Sequence, residues 1–225
     1  MVQKNCTSLI TLKNRLLILR FISLISFSVF ALFSCGQSSP KKNNKDYSSY
    51  QKAYFASGCF WCVEAVYESV DGVAEAVSGY SGGKEKNPTY NQVSAGETGH
   101  AESVLVYYDS SVVDYKDLLR VFFSSHDPTT YHQQGPDIGS QYRSVIFYSN
   151  KNEKTIAEGF IDSLIRNKVF SKITTDLVSF NKFYKAEEYH QDYKKINPNN
   201  PYVISVSNPR LEDFKKKCPD LLKKQ

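Results

Sequence analysis

The stretch of this 225-residue chain that most restricts its fold is residues 52–70. Lys52, Ala53, Tyr54, Phe55 and Ala56 form a short apolar run, Ser57 and Gly58 interrupt it, and residues 59–70 then carry apolar side chains at helical spacing. A strand must hand over to a helix there. Cys59 stands at the handover, so free backbone N–H groups and the positive end of the helix dipole should face its sulfur. That placement favours thiolate, because thiols at helix N-termini can have their pKa lowered by one to several units from about 8.5. Gly58 allows close approach of another group to the backbone, as a pocket would need.

The alternation of strand and helix continues downstream. Residues 73–78 predict a second strand, and Gly79, Gly82, Gly83, Asn87 and Pro88 a loop. Residues 101–108, rich in Val and Tyr, predict a strand; 115–125 a helix; 141–148 a strand; 152–166 a helix; and 173–179 a last strand. The pattern describes an α+β fold, a two-layer α/β sandwich with a ferredoxin-like split βαβ core and long loops. The loop at 131–140 carries His132, Gln133, Gln134 and Asp137, and loops of that length in compact domains are usually functional or disordered.

With 41% hydrophobic and 14% aromatic residues, the chain can build one core and has too little length for two domains. The formal charge of +5 misleads, because Lys4, Lys13, Arg15 and Arg20 precede residue 35 with no acidic residue among them. The remainder holds 24 basic against 23 acidic residues and offers no electrostatic footprint for nucleic acid. Residues 1–34 read as an export signal, a basic region followed by a mostly apolar run too short to span a bilayer comfortably. Leu32, Phe33, Ser34 and Cys35 resemble a bacterial lipobox, with Cys35 as the lipidated residue. The expected plan is therefore a signal over 1–34, a polar tether over 35–52, a catalytic domain over 53–205 and a basic tail over 206–225. The expected location is an exported lipoprotein on a membrane, facing the periplasm; an uncleaved N-terminal anchor is the alternative.

Once Cys6 leaves with the signal and Cys35 carries lipid, Cys59, Cys62 and Cys218 are left. An exported compartment is oxidising, so thiols kept there tend to be catalytic. Cys59 and Cys62 form C-x-x-C, which serves redox catalysis, zinc binding or a structural disulfide. Val63 excludes haem attachment, and His100, His126, His132 and His190 show no zinc-like spacing, so no metal is expected. A structural i to i+3 bridge would constrain little of the unfolded chain. Cys62 falls on the same helical face as Cys59, near enough to attack an oxidised Cys59 sulfur.

Gly58, Cys59, Phe60, Trp61, Cys62, Val63 and Glu64 resemble the signature of the A-type peptide methionine sulfoxide reductases. Further blocks match in order: residues 79–83, 87–90, 99–102, 126–128, 134–137 and 141–144, over roughly residues 53–205. The resemblance implies reduction of methionine S-sulfoxide, free or in proteins. Cys59 would be the nucleophile and Glu102 the acid for the departing oxygen; taken alone, Glu102 would read as a solvent-facing strand residue. Tyr90 and Tyr142 would donate to the sulfoxide oxygen, Asp137 would orient the polar site, and Phe60 and Trp61 would wall in the methyl group. Cys59 would pass through a sulfenic acid, which Cys62 would resolve to a disulfide for a thioredoxin-like reductant, with no cofactor bound. Many family members have Gly in place of Cys62 and resolve through C-terminal cysteines. Cys218 lies beyond the matched region and reads as a spectator or second relay. Met1 is the sole methionine, so the mature enzyme would hold none of its own substrate.

Overall fold

A computed structural model describes residues 46–224. The signal, Cys35 and the tether as far as residue 45 lie outside the described residues. In chain order the elements are β1 (Gln51–Ser57), α1 (Phe60–Glu68), β2 (Val73–Ser81), α2 (Tyr90–Ser94), β3 (Ala101–Tyr108), α3 (Tyr115–Ser125), β4 (Gln133–Gln134) and β5 (Asp137–Ile138). There follow β6 (Ser144–Tyr148), α4 (Lys151–Arg166), β7 (Asp176–Ser179), β8 (Phe183–Lys185), α5 (Tyr193–Ile196) and a π-helical turn, Val203–Ser207, that runs directly into α6 (Asn208–Lys217).

Six strands form one sheet in the order β7-β6-β1-β3-β2-β8, antiparallel except at the β6–β7 pair. Since β3 separates β1 from β2 and β1 separates β3 from β6, the units β1-α1-β2 and β3-α3-β6 are two interlocked split βαβ motifs, the ferredoxin-like core expected from the pattern. Helices cover one face, where Phe55, Tyr67, Leu118, Phe122 and Phe214 are fully buried. The other face carries Tyr54, Ala56, Leu105, Val145 and Phe147 under Phe180 and Phe183, with Tyr54 stacked on Phe180 at 3.7 Å. Both faces of the central strands are thus covered, which is why every residue of β3 except Tyr107 is buried.

Several expected boundaries move. The described residues of the segment expected as a tail over 206–225 pack into the domain: α6 buries Leu211 and Phe214, Cys218 is 1% exposed, and Val70 bridges to Leu222. Apolar residues spaced among lysines give that segment an inward stripe that its charge had masked. The last residues assigned to the tether also belong to the domain, since Gln51 and Lys52 pair with Tyr108 and Tyr107, and Tyr47 stacks on Tyr107 at 4.5 Å. The strand expected over 141–148 starts only at Ser144, because Tyr142 N–H bonds back to Gly139 O and closes a 3₁₀ turn over Ser140–Tyr142. The last expected strand begins at Asp176; Thr174 instead donates its N–H to Pro128 O. The short elements α2, β4, β5 and β8 carry too few residues to show a period.

Candidate active site

Gly58 sits at φ +91°, and a Cβ there would lie 2.7 Å from the side chain of Gln134. The junction therefore requires glycine, because the hairpin β4–β5 packs directly over it. Cys59 occupies the N-cap of α1 and is 7% exposed. The first helical N–H, that of Phe60, donates to Glu102 Oε2 at 3.0 Å. Glu102, one residue into β3 and opposite Tyr80 on β2, thereby stands beside the nucleophile. It is 2% exposed, and burial pushes its pKa to about 8, against the pull of the Phe60 N–H. A protonated carboxyl at neutral pH is what an acid catalyst needs.

An aromatic wall surrounds this point. Phe60 lies 6.3 Å from Tyr90 and 5.0 Å from His190 between ring centroids, and Trp61 stacks flat on Tyr193 at 3.7 Å. Trp61 Nε1–H donates to His190 Nδ1 at 3.1 Å, which leaves the His190 proton on Nε2, buried and without a partner among the described residues. Tyr90 is held by its own N–H on Glu187 at 2.9 Å, and burial lifts its hydroxyl to about 12. Tyr142 is also raised by burial, then by the charges of Glu102, Tyr90, Asp137 and Cys59, so both hydroxyls stay protonated around one point. Asp137 accepts from Tyr202 Oη at 2.5 Å, and burial raises its pKa. All the residues expected from the motif, Cys59, Cys62, Phe60, Trp61, Tyr90, Glu102, Asp137 and Tyr142, converge here.

Burial acts on the cysteine pair against the helix-start effect expected from the sequence. Burial pushes the Cys59 thiol well up, and the neighbouring Cys62 and Glu102 add to that rise. The N–H of Phe60 at the helix start is taken by Glu102, and the Cys59 side chain makes no capping hydrogen bond. Cys62 moves the other way: the hydrogen bond from Cys59, the Arg210 charge and Ser207 lower its pKa, with Ser207 Oγ 2.9 Å from Sγ. The two thiols, both free, are thus pushed in opposite directions, Cys59 up by burial and Cys62 down by its hydrogen bonds and the Arg210 charge. Burial of Cys59 therefore opposes the thiolate that its place at the helix start was expected to favour.

Sequence reasoning missed Tyr202, Ser207 and Arg210, which arrive together from the segment running through the π-helical turn. Tyr202 pulls the pKa of both thiols down, and Arg210 donates to Ser57 Oγ at 3.0 Å and Ser125 O at 2.6 Å, pinning the end of β1. A wide turn of this kind often marks a functional site, yet it has no sequence signature. His190, Tyr193 and Glu187 were equally silent among 16 tyrosines and scattered charges. Among the described residues, one group has metal-ligand spacing, Glu64, Glu68 and Asp192; it excludes both active-site cysteines, and Lys195 already bridges Glu68 and Asp192 at 2.7 Å each.

A buried thiol beside a proton-holding carboxyl, with a second thiol in hydrogen-bond reach, defines a cysteine-dependent reductase built on a ferredoxin-like sheet. A family model described as peptide methionine sulfoxide reductase matches residues 51–221. A peptide methionine sulfoxide reductase MsrA from Sulfolobus acidocaldarius is 49% identical over 168 residues, spanning 75% of this chain and 95% of its own length. One from Pasteurella multocida is 45% identical over 173 residues, spanning 77% and 99%. Reduced Mxr1 from Saccharomyces cerevisiae superposes with a TM-score of 0.65 at 33% identity, over 71% of this chain and 92% of that one. The chain belongs to the peptide methionine sulfoxide reductase family. The match to residue 221 agrees with the packing of α6 into the domain.

Proposed function

We propose that this enzyme reduces the S epimer of methionine sulfoxide, free and within proteins, through Cys59. The observation that carries the reading is the buried, proton-holding Glu102 on the N–H next to Cys59, at 3.0 Å. Phe60 and Trp61 receive the methyl group, while Tyr90 and Tyr142 donate to the sulfoxide oxygen. Cys59 gives its proton to Cys62 as it attacks, and Glu102 protonates the oxygen as its bond to the substrate sulfur breaks. The net transfer is one oxygen atom, leaving methionine and a Cys59 sulfenic acid. Cys62 then displaces water to give a Cys59–Cys62 disulfide. A thioredoxin-like dithiol returns the pair to thiols, itself becoming a disulfide; no bound cofactor is required.

Export and lipidation at Cys35 complete the proposal. Their support is the basic then apolar N-terminus and the Leu32, Phe33, Ser34, Cys35 sequence. No helix among the described residues is long and apolar enough to cross a membrane. The deciding experiment incubates purified enzyme with dithiothreitol and each sulfoxide epimer in turn. Turnover of the S epimer alone is expected; a folded enzyme that reduces neither would end this reading.

A further inference from the structure

Glu187 stands outside the reacting groups and joins several of them. Its Oε1 accepts the Tyr90 N–H at 2.9 Å, and its Oε2 accepts the Tyr80 hydroxyl at 2.8 Å. Its own carbonyl accepts the His190 N–H at 2.9 Å. Each partner leads to a wall of the pocket. Tyr90 opens α2; Tyr80, fully buried, lies 5.9 Å from Phe60 between ring centroids; and His190 accepts from Trp61. Burial opposes the charge on Glu187, but the Tyr90 N–H and the Tyr80 hydroxyl help to outweigh it and hold the pKa below the ordinary carboxylate value. The group is therefore ionised at neutral pH and able to accept from both donors. The segment that carries it is fixed separately. Ala186 N–H donates to Ser78 O at 2.9 Å, Gln191 Oε1 accepts from Ser78 N–H at 3.0 Å, and Asp192 N–H donates to Glu64 Oε1 at 2.6 Å. Helix α2, by contrast, has five residues and is tied from outside at its two ends, by Glu187 at the Tyr90 N–H and by Gln141 Nε2 at Ser94 O.

We propose that Glu187 is a positioning residue for the sulfoxide step: from a segment fixed to β2 and α1, it sets where the Tyr90 hydroxyl stands relative to Phe60, Trp61 and the reacting sulfur. The inference rests on the roles given above to those three side chains. Glu187 acts through Tyr90 and takes no part in the bond changes. Without its carboxylate, the Tyr90 N–H and the Tyr80 hydroxyl lose their shared acceptor, and α2 keeps only its own capping box and the Gln141 bond to hold it. A helix this short does not hold itself in place, because one turn of backbone hydrogen bonds does not offset the entropy of ordering it. A displacement of about 1 Å in a group that contacts the reacting atoms can slow a reaction by about 10²-fold. Cys59 at the α1 N-cap and Glu102 at the Phe60 N–H are held without Glu187, so the nucleophile and the acid stay where they are.

The test measures single-turnover rates with methionine S-sulfoxide for the wild type, Glu187→Ala, Tyr90→Phe and the double variant. Glu187→Ala is expected to slow the step about tenfold or more when Tyr90 is present. With Tyr90 already Phe it should cost less than about threefold, because an absent hydroxyl cannot be misplaced. Equal losses in the two backgrounds, or no loss in either, overturn the inference. Carboxamidomethylation of Cys59 by iodoacetamide makes no use of Tyr90, so Glu187→Ala should leave its rate at the wild-type value; a fall in step with the sulfoxide rate also overturns the inference, since it would reveal a general loosening. Should Glu187→Ala not fold, Glu187→Asp repeats the comparison. It keeps the charge but is too short to reach both donors, so the same contrast between backgrounds is expected at smaller scale, and its absence is equally decisive. The wild-type rate separates this inference from the reaction beneath it: a wild type that reduces the sulfoxide while the losses stay equal removes only the role of Glu187.

Discussion

At the residue scale the chemistry turns on how Cys59 and Cys62 share a proton. The charge on Cys62 helps hold the Cys59 pKa up, so Cys62→Ser should shift the midpoint of Cys59 alkylation to lower pH. The same variant should complete one turnover and keep a sulfenic acid that dimedone labels once per enzyme; an unshifted midpoint would assign the elevation to burial and Glu102. Glu102 sets the pH limit on the other side. With its pKa near 8, the acid form disappears above that value, so the single-turnover rate should fall about tenfold per pH unit beyond it. Glu102→Gln should slow the step by about 10²–10⁴ and abolish that limb, read by rapid-quench assay. Stability follows the same proton. The folded-state pKa lies above the ordinary 4.5, so the folded enzyme binds a proton that the unfolded chain releases, and stability should decline as pH rises from 4.5 to about 8. Glu64, also raised by burial to about 8, shares the trend; comparison of wild type with Glu102→Gln isolates the part due to Glu102.

At the element scale the decisive feature is the corner between β1 and α1. Gly58 combines a left-handed φ with a backbone face pressed on Gln134, so Gly58→Ala must strain one or displace the other. Urea unfolding should show a loss of about 1–3 kcal/mol. The sulfoxide step should slow as well, because the hairpin that carries Asp137 moves with Gln134. Full activity with unchanged stability would show that the hairpin yields freely. Elements with local capping needed no such context: Asp114 accepts from Asp117 N–H and opens α3, and Asn150 does the same for α4 through Glu153. Both helices were readable in the sequence from their periodicity, and the caps account for where they begin. The π-helical turn was not, since a single wide turn depends on what its side chains meet, here the cysteine pair and Asp137.

At the scale of the whole molecule, α6 joins distant parts of the fold. Phe214 is fully buried in the core with Val66, Phe122 and Leu118, and Phe214→Ala should cost about 3–5 kcal/mol by denaturant titration. A loss below about 1 kcal/mol would return this segment to the status of an appendage. Arg210 on the same helix ties Ser57 and Ser125, so its loosening should reach the Gly58 corner and the nucleophile.

The sequence by itself determined the strand-to-helix corner at Cys59, the alternation that closes into split βαβ units, and, through its ordered motifs, the residues that would gather at the site. Periodicity, caps and turn chemistry are properties of neighbouring residues, so they survive reading in one dimension. Only the tertiary structure decided in which direction each thiol is pushed, which carboxyl stays protonated and how far the domain extends. Those outcomes depend on desolvation and on partners far along the chain, Glu102 at the Phe60 N–H and Ser207 and Arg210 at Cys62, and no local pattern encodes what folding will bring alongside.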